Sequence, residues 1–259
     1  MGDDLTRRRL DTELVRRDLA RSRGEAQRLI TGSKVLVAGM PTPKPASLVS
    51  ADTPIELVSD EKRWVSRGAH KMLAALDAFP VEPEGQDVLD VGASTGGFTE
   101  VMLEHGARSV TALDVGRAQL HESLRSDPRV IPMDRTNFRL VEPGTLQKAP
   151  FPIVVADLSF ISLCAVAAPL AEVAAEGGDL IVLVKPQFEA GRGEIGSGGV
   201  VRRQETRERA VNRVSECLAR VGLGARGVIR SPIEGKDGNV EYLLWLRKGE
   251  DRLVLEVPA

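Results

Sequence analysis

Residues 87–99 read DVLDVGASTGGFT. An apolar run, Val88, Leu89 and Val91, leads into a turn with glycines at 92, 96 and 97, and a helix is predicted from about Phe98. Glycines at these positions let the backbone approach a ligand closely, and the start of the helix offers unpaired N–H groups. The next strand, SVTALDV (109–115), carries Asp114 near its end, 24 residues beyond Asp90. An acid at a second strand end, about 20 residues after the turn, suits the hydroxyls of a ribose. A glycine turn alone could be no more than a tight strand-to-helix connection; turn and acid together narrow the reading. The spacing Gly92-Ala93-Ser94-Thr95-Gly96-Gly97 also departs from the G-x-G-x-x-G pattern of dinucleotide sites.

Further strand patterns follow in RVIPMD (129–134), FPIVVAD (151–157), GDLIVLVK (178–185) and NVEYLLWL (239–246), with helical patterns between several of them, including 204–221. Alternating β and α predicts an α/β fold with a doubly wound sheet, whose ligands bind beyond the carboxyl ends of the strands. Charged residues stand near those places. Asp157 closes one strand, Lys185 closes another, and Glu241 is read as lying inside the last among apolar neighbours. Lys71 falls in a helical pattern before the first strand, off the apolar stripe Ala69, Met72, Leu73, Leu76 and Phe79. Taken singly each has an ordinary explanation: Asp157 could cap LSFIS, and a lone lysine is usually solvated.

Ahead of this lies a smaller piece, residues 1–60, joined through a linker, 61–67, to a domain at 68–259. Leu10, Leu14 and Val15 form one apolar helical stripe, and Ala26, Leu29 and Ile30 form another. Ser22, with Glu25 three residues on, is a capping-box start for the second helix. Short strands punctuated by Gly32, Gly39, Pro41, Pro43 and Pro45 follow. Eight arginines and no lysine fall within residues 7–28. A guanidinium fork matches phosphate geometry, so a polyanionic partner is expected over a merely solvated face.

Charge supports that division. The chain carries −2 overall, but residues 1–68 hold 13 Lys/Arg against 10 Asp/Glu, leaving the remainder at −5. With 259 residues, 42% of them hydrophobic and 28% charged, the composition is globular. Cys164 and Cys217 are too few for a disulfide framework and lack metal-ligand spacing, so no metal is expected. The opening MGDDLTRRRL has no apolar signal region, and the apolar stretch 161–175 is interrupted by Pro169 and Glu172 and too short for a bilayer core of about 30 Å. A cytoplasmic, monomeric protein without membrane attachment is expected.

The first piece, through RLD, LV, SR and LI, then Lys44-Pro45 and a closing apolar strand, resembles an S4 RNA-binding domain over roughly residues 5–58. It departs at Val37-Ala38-Gly39, where that family usually has Asn before the Gly. By position the resemblance makes Arg9, Arg17, Arg21, Arg23 and Lys44 candidate phosphate contacts. The glycine turn with Asp90 before it resembles the first motif of S-adenosylmethionine (SAM) methyltransferases. Lys71, Asp157, Lys185 and Glu241, in that order, resemble the K-D-K-E tetrad of FtsJ-like ribose 2′-O-methyltransferases. The phrases WVSRGAHK, DVGASTGGFTE, VVADLSFISL, LVKPQFE and GNVEY extend the likeness to nearly the whole chain, which is similar to the haemolysin-named TlyA family of rRNA (cytidine-2′-O)-methyltransferases.

That resemblance implies a Rossmann-like SAM-dependent methyltransferase domain behind a small α+β S4 domain, acting on ribosomal RNA in ribosomal subunits. It implies Lys71, Asp157, Lys185 and Glu241 as the catalytic set, with Lys185 as a general base or as a fixed cation beside the developing alkoxide. For SAM it implies Gly92, Ser94, Gly96 and Gly97 at the methionine end, Asp90 and Ala93 as further cofactor-binding residues, Asp114 at the ribose, Asp134 at the adenine edge, and Phe160 flanking the pocket or buried in the core. It leaves open whether small-subunit RNA, large-subunit RNA or both are methylated. A non-catalytic ribosome-assembly factor and a membrane-lytic protein are the competing readings. The glycine-rich stretch 191–199 is expected to form a lid over the RNA site. In RWVSRGAHK (63–71), Ser66 is expected to cap the helix carrying Lys71, Arg67 to touch RNA, and Trp64 to couple RNA engagement to the catalytic helix.

Overall fold

The computed structural model describes residues 7–20, 22–42, 44–58, 64–196, 198–235 and 237–259. The chain divides into two compact units, residues 1–63 and 64–259, so Trp64 to Arg67, read as linker, group with the second unit.

In the first unit, β1 (Arg8–Arg9) pairs with β4 (Leu48–Val49), and α1 (Leu10–Arg16) and α2 (Arg23–Thr31) pack together. A three-stranded sheet runs β3 (Met40–Pro41), β2 (Val35–Val37), β5 (Ile55–Leu57). Leu10, Leu14, Ala26, Ile30 and Val35 form the core, joining both helical stripes to the sheet. Ser22 Oγ accepts the Glu25 amide at 3.3 Å, the expected cap on α2. Ala38 and Gly39 turn β2 into β3 with φ of 50° and 80°. Alanine thus takes a left-handed position that costs an L-residue about 1 kcal/mol and that Asn tolerates better.

The second unit is a seven-stranded sheet with helices around it. In chain order its elements are α3 (Gly68–Ala78), β6 (Asp87–Val91), α4 (Gly97–Glu104), β7 (Ser109–Leu113), α5 (Glu122–Arg125), β8 (Val130–Met133), β9 (Phe151–Ala156), α6 (Ala167–Val173), β10 (Ala174–Val184), α7 (Pro186–Glu189), α8 (Gln204–Ala219), β11 (Leu223–Arg230) and β12 (Tyr242–Lys248). The spatial order is β11-β12-β10-β9-β6-β7-β8. Strands β6 to β10 run parallel, and β12 lies antiparallel to both β10 and β11.

Alternation along the strands feeds two cores. Leu89 and Val91, with Leu180, Val182 and Val184, face one side; Val88, Ile181 and Leu183 face the other. Each such side chain contributes roughly 1.5–3 kcal/mol on burial. The chain leaves β6 toward β7 and β8 on one side, then returns as β9 on the other. The carboxyl ends of β6 and β9 therefore flank the point where the strand order reverses, and a crevice opens there.

One expectation is corrected here. The last strand begins at Tyr242, so Glu241 precedes it rather than lying within it. Because β12 is antiparallel, its start lies beside the carboxyl ends of the parallel strands, which brings Glu241 to the crevice.

Candidate active site

The turn after β6 is shaped by its glycines. Gly92 has φ 85°, and a Cβ there would lie 2.5 Å from the Asp157 carbonyl oxygen. A Cβ on Gly97 would lie 2.3 Å from Ser66 Oγ. Neither position accepts a side chain without backbone movement. The Asp157 amide donates to the Val91 carbonyl at 3.0 Å, locking the end of β9 to the end of β6. Asp114, just past β7, accepts the Ser94 amide on Oδ2 at 2.9 Å and the Gly116 amide on Oδ1 at 2.7 Å, so it braces the glycine turn from the next strand.

Two cavities meet at this turn and share Gly92, Ser94 and Asp157. The first, about 370 Å³, is lined by Arg67, Lys71, Asp90, Asp157, Lys185 and Glu241 among others. The second, about 470 Å³, takes in Asp114, Phe138 and Phe160.

All four tetrad positions converge on the first cavity as two ion pairs. Lys71 Nζ, on α3, donates to Glu241 Oε2 at 2.5 Å, and both groups are buried. Lys185 Nζ, just past β10, lies 2.6 Å from Asp157 Oδ1. That second contact lacks hydrogen-bond geometry: Asp157 Oδ1 has no hydrogen-bond partner, whereas Lys185 Nζ donates to Ser159 Oγ at 2.8 Å. Ser159 escaped the sequence reading because a serine in LSFIS carries no periodic or charge signal.

Asp90 is fully enclosed. Thr99 Oγ1 donates to its Oδ2 at 2.7 Å, while Oδ1 has no partner. Burial pushes its carboxyl up to about 7, with the charges of Asp157 and Asp114 adding to the rise and the Thr99 bond opposing it. A buried Asp90 oxygen without a hydrogen-bond donor, beside a glycine cradle, fits a ligand bearing cationic donors. The α-ammonium and sulfonium of SAM have that chemistry.

Several expected roles look different in place. Asp134 lines neither cavity; its carboxylate pairs with Arg125. Phe160 is not a core residue: it is 91% exposed at the rim of the second cavity, and its ring lies 5.3 Å from that of Phe188. Ser66 makes no side-chain cap on α3, whose N-cap is Arg67. Its hydroxyl instead sits over Gly97, and the Val65 amide donates to Glu100 Oε2 on α4 at 2.7 Å. The glycine-rich stretch 191–199 is anchored to neighbouring segments. Its described residues line neither cavity, and it is tied down by Glu194 to Arg209 on α8 and by the Gly199 carbonyl to Asn239 Nδ2 at 3.0 Å.

In the first unit two buried carboxylates organise the arginines. Asp11 accepts from Arg9, Arg23 and Gln27, and its carboxyl is held well below the usual range, chiefly by Arg9. Glu13 accepts from Arg16 and Arg17 and is lowered to about 2, chiefly by Arg16. Arg17 also donates to the carbonyls of Ser50, Ala51 and Thr53, so its fork is spent inside the unit. Lys44 is exposed, as are Arg8 and Arg28, which the sequence reading did not single out. Arg21 lies outside the described residues.

Comparison with known proteins identifies both units. The pattern of the FtsJ-like methyltransferase family matches residues 64–248, and that of the S4 domain matches residues 8–54. The 16S/23S rRNA (cytidine-2′-O)-methyltransferase TlyA of Mycobacterium tuberculosis is 51% identical over 95% of this chain and 92% of its own length. The 23S rRNA (cytidine-2′-O)-methyltransferase TlyA of Campylobacter jejuni is 34% identical over 71% of each chain. A solved Streptococcus thermophilus protein described as a hemolysin superposes with a TM-score of 0.72 at 37% identity, covering 96% of this chain and 90% of its own.

Proposed function

Because the chain belongs to the FtsJ-like methyltransferase family and carries an S4 domain ahead of that fold, we propose that it methylates the ribose 2′-oxygen of a cytidine in ribosomal RNA, 16S, 23S or both, using SAM. The observation that carries this reading is the convergence of Lys71–Glu241 and Lys185–Asp157 on one cavity beside the glycine turn.

When bound, SAM supplies an electrophilic methyl group on a sulfonium. Asp90 would offer its unpartnered oxygen to its cationic centres, the Gly92–Gly97 turn would accommodate its methionine end, and Asp114, in the wall of the second cavity, would meet the ribose. Lys185 meets the acceptor hydroxyl. Nζ would take the hydroxyl proton as a general base or stand as a fixed cation beside the developing alkoxide. Asp157, 2.6 Å away, would balance the positive charge of the Lys185 ammonium. Lys71, fixed by Glu241, places a second positive charge at the wall of the same cavity.

Arg67 lines the mouth of that cavity and is exposed, placed to meet a phosphate. Arg9 and Arg23, which stay largely exposed while bonded to Asp11, form the polyanion-binding set of the first unit with Lys44, Arg8 and Arg28; Arg17, the least exposed of the arginines bonded to Asp11 or Glu13, serves as a brace. A lytic role has no counterpart in a spanning element, since among the described residues no helix is long and apolar enough to cross a membrane.

The test is transfer of labelled methyl from SAM to small and large ribosomal subunits assayed separately, with the methylated ribose mapped. Lys185→Ala is expected to lower transfer by at least about a hundredfold while leaving SAM affinity largely intact. Near-normal turnover by that variant would refute the assignment.

A further inference from the structure

Lys185 is held by two unlike contacts. Asp157 attracts Nζ from 2.6 Å without hydrogen-bond geometry, so it supplies charge without fixing orientation. An ammonium or amine held only by a point charge can swing about its Cδ–Cε bond. The directed bond is the one to Ser159 Oγ, at 2.8 Å.

The backbone around Ser159 is built to hold that bond. Phe160, next in the chain, has φ 64°, a left-handed conformation that a bulky residue keeps only where its surroundings impose it. It turns the chain sharply after Ser159. The Phe160 ring then packs 5.3 Å from that of Phe188, which follows Lys185 by three residues. The segments after β9 and β10 are thereby clamped to each other, one bearing Ser159 and the other Lys185. Exposure adds a further point: the Lys185 side chain is 10% exposed, whereas Ser159 is open to solvent. A proton accepted by Nζ has a hydroxyl beside it through which to reach water.

On the reading that Lys185 meets the ribose hydroxyl, we propose that Ser159 is a positioning residue for methyl transfer. Its hydroxyl fixes the torsion of Lys185, so that the remaining tetrahedral positions of Nζ face the cavity and the acceptor oxygen.

The experiment compares wild type, Ser159→Ala and Ser159→Thr in single-turnover methyl transfer to ribosomal subunits, with SAM binding followed by calorimetry. Loss of one hydrogen bond to a charged group at the reacting centre predicts a roughly 10–100-fold slower transfer for Ser159→Ala. SAM affinity and the half-saturating subunit concentration should stay within about twofold, since the lost bond acts on the transition state alone. Ser159→Thr, which keeps the hydroxyl, should recover most of the rate. Wild-type rate in Ser159→Ala would overturn the assignment, as would a Thr variant as slow as the Ala variant while both bind SAM normally. The parent reading fails separately: wild type inert on both subunits would overturn both, whereas active wild type and inert Lys185→Ala beside a fully active Ser159→Ala would overturn only the role of Ser159.

Discussion

Single residues at the crevice carry consequences that can be measured apart from turnover. Asp90 has a carboxyl pushed up to about 7 by burial, so its folded value lies above the unfolded one near 3.8. Its contribution to stability is fully present below the unfolded value and is lost as pH rises toward 7. Denaturant midpoints of wild type should therefore fall across that window relative to those of Asp90→Asn. Parallel pH profiles for the two proteins would show that Asp90 does not titrate there. Gly92 gives a second case. Alanine at φ 85° would place its Cβ 2.5 Å from a backbone carbonyl at the waist of the two cavities. Gly92→Ala should weaken SAM binding by at least about tenfold, through a backbone strain of about 1–2 kcal/mol and the displaced turn together. The glycines and the acids were legible in the sequence because turn chemistry is local. Ser159 was not, because its only signal is a contact made 26 residues away.

At the level of elements, the first unit separates bracing from binding. Arg17 joins α1 to the segment before β5 through Glu13 and three carbonyls. Arg17→Ala should lower the stability of that unit by about 2–3 kcal/mol, read as an earlier transition in thermal unfolding of the intact protein. Arg17→Lys should recover little of it, since one ammonium cannot reproduce a fork. Arg23→Ala is expected to act differently, lowering the salt slope of subunit binding by about one while Arg17→Ala leaves that slope unchanged. Equal slopes for all three proteins would remove Arg23 from the phosphate contacts. An arginine-rich helical pattern was readable in sequence, but which forks were already occupied was not, since Asp11 and Glu13 become interior groups only when the helices pack.

Across the second unit, the segment from Trp64 to Arg67 ties the start of the Lys71 helix to the glycine turn. Trp64 and Val65 pack on the core that also holds Ala69 and Phe98, Val65 is hydrogen-bonded to Glu100, and Ser66 lies over Gly97. The start of the Lys71 helix and the glycine turn thus share one anchor. Trp64→Ala should destabilise the second unit by about 2 kcal/mol and weaken SAM binding and RNA turnover together; unchanged values for both would end the coupling. The sequence by itself determined the two-part plan, the parallel strands, the glycine turn and the identity of the four charged residues, because hydrophobic period, turn residues and strand-end charges are written along the chain. Tertiary structure decided how those residues meet. Lys71 and Glu241 are 170 residues apart and pair because β12 runs antiparallel, so that its first end, not its last, lies at the crevice. It also paired Asp134 with Arg125, tied the glycine-rich stretch to α8 and Asn239, and brought Ser159 to Lys185. Strand direction and side-chain partnership are non-local, and no spacing in the chain records them.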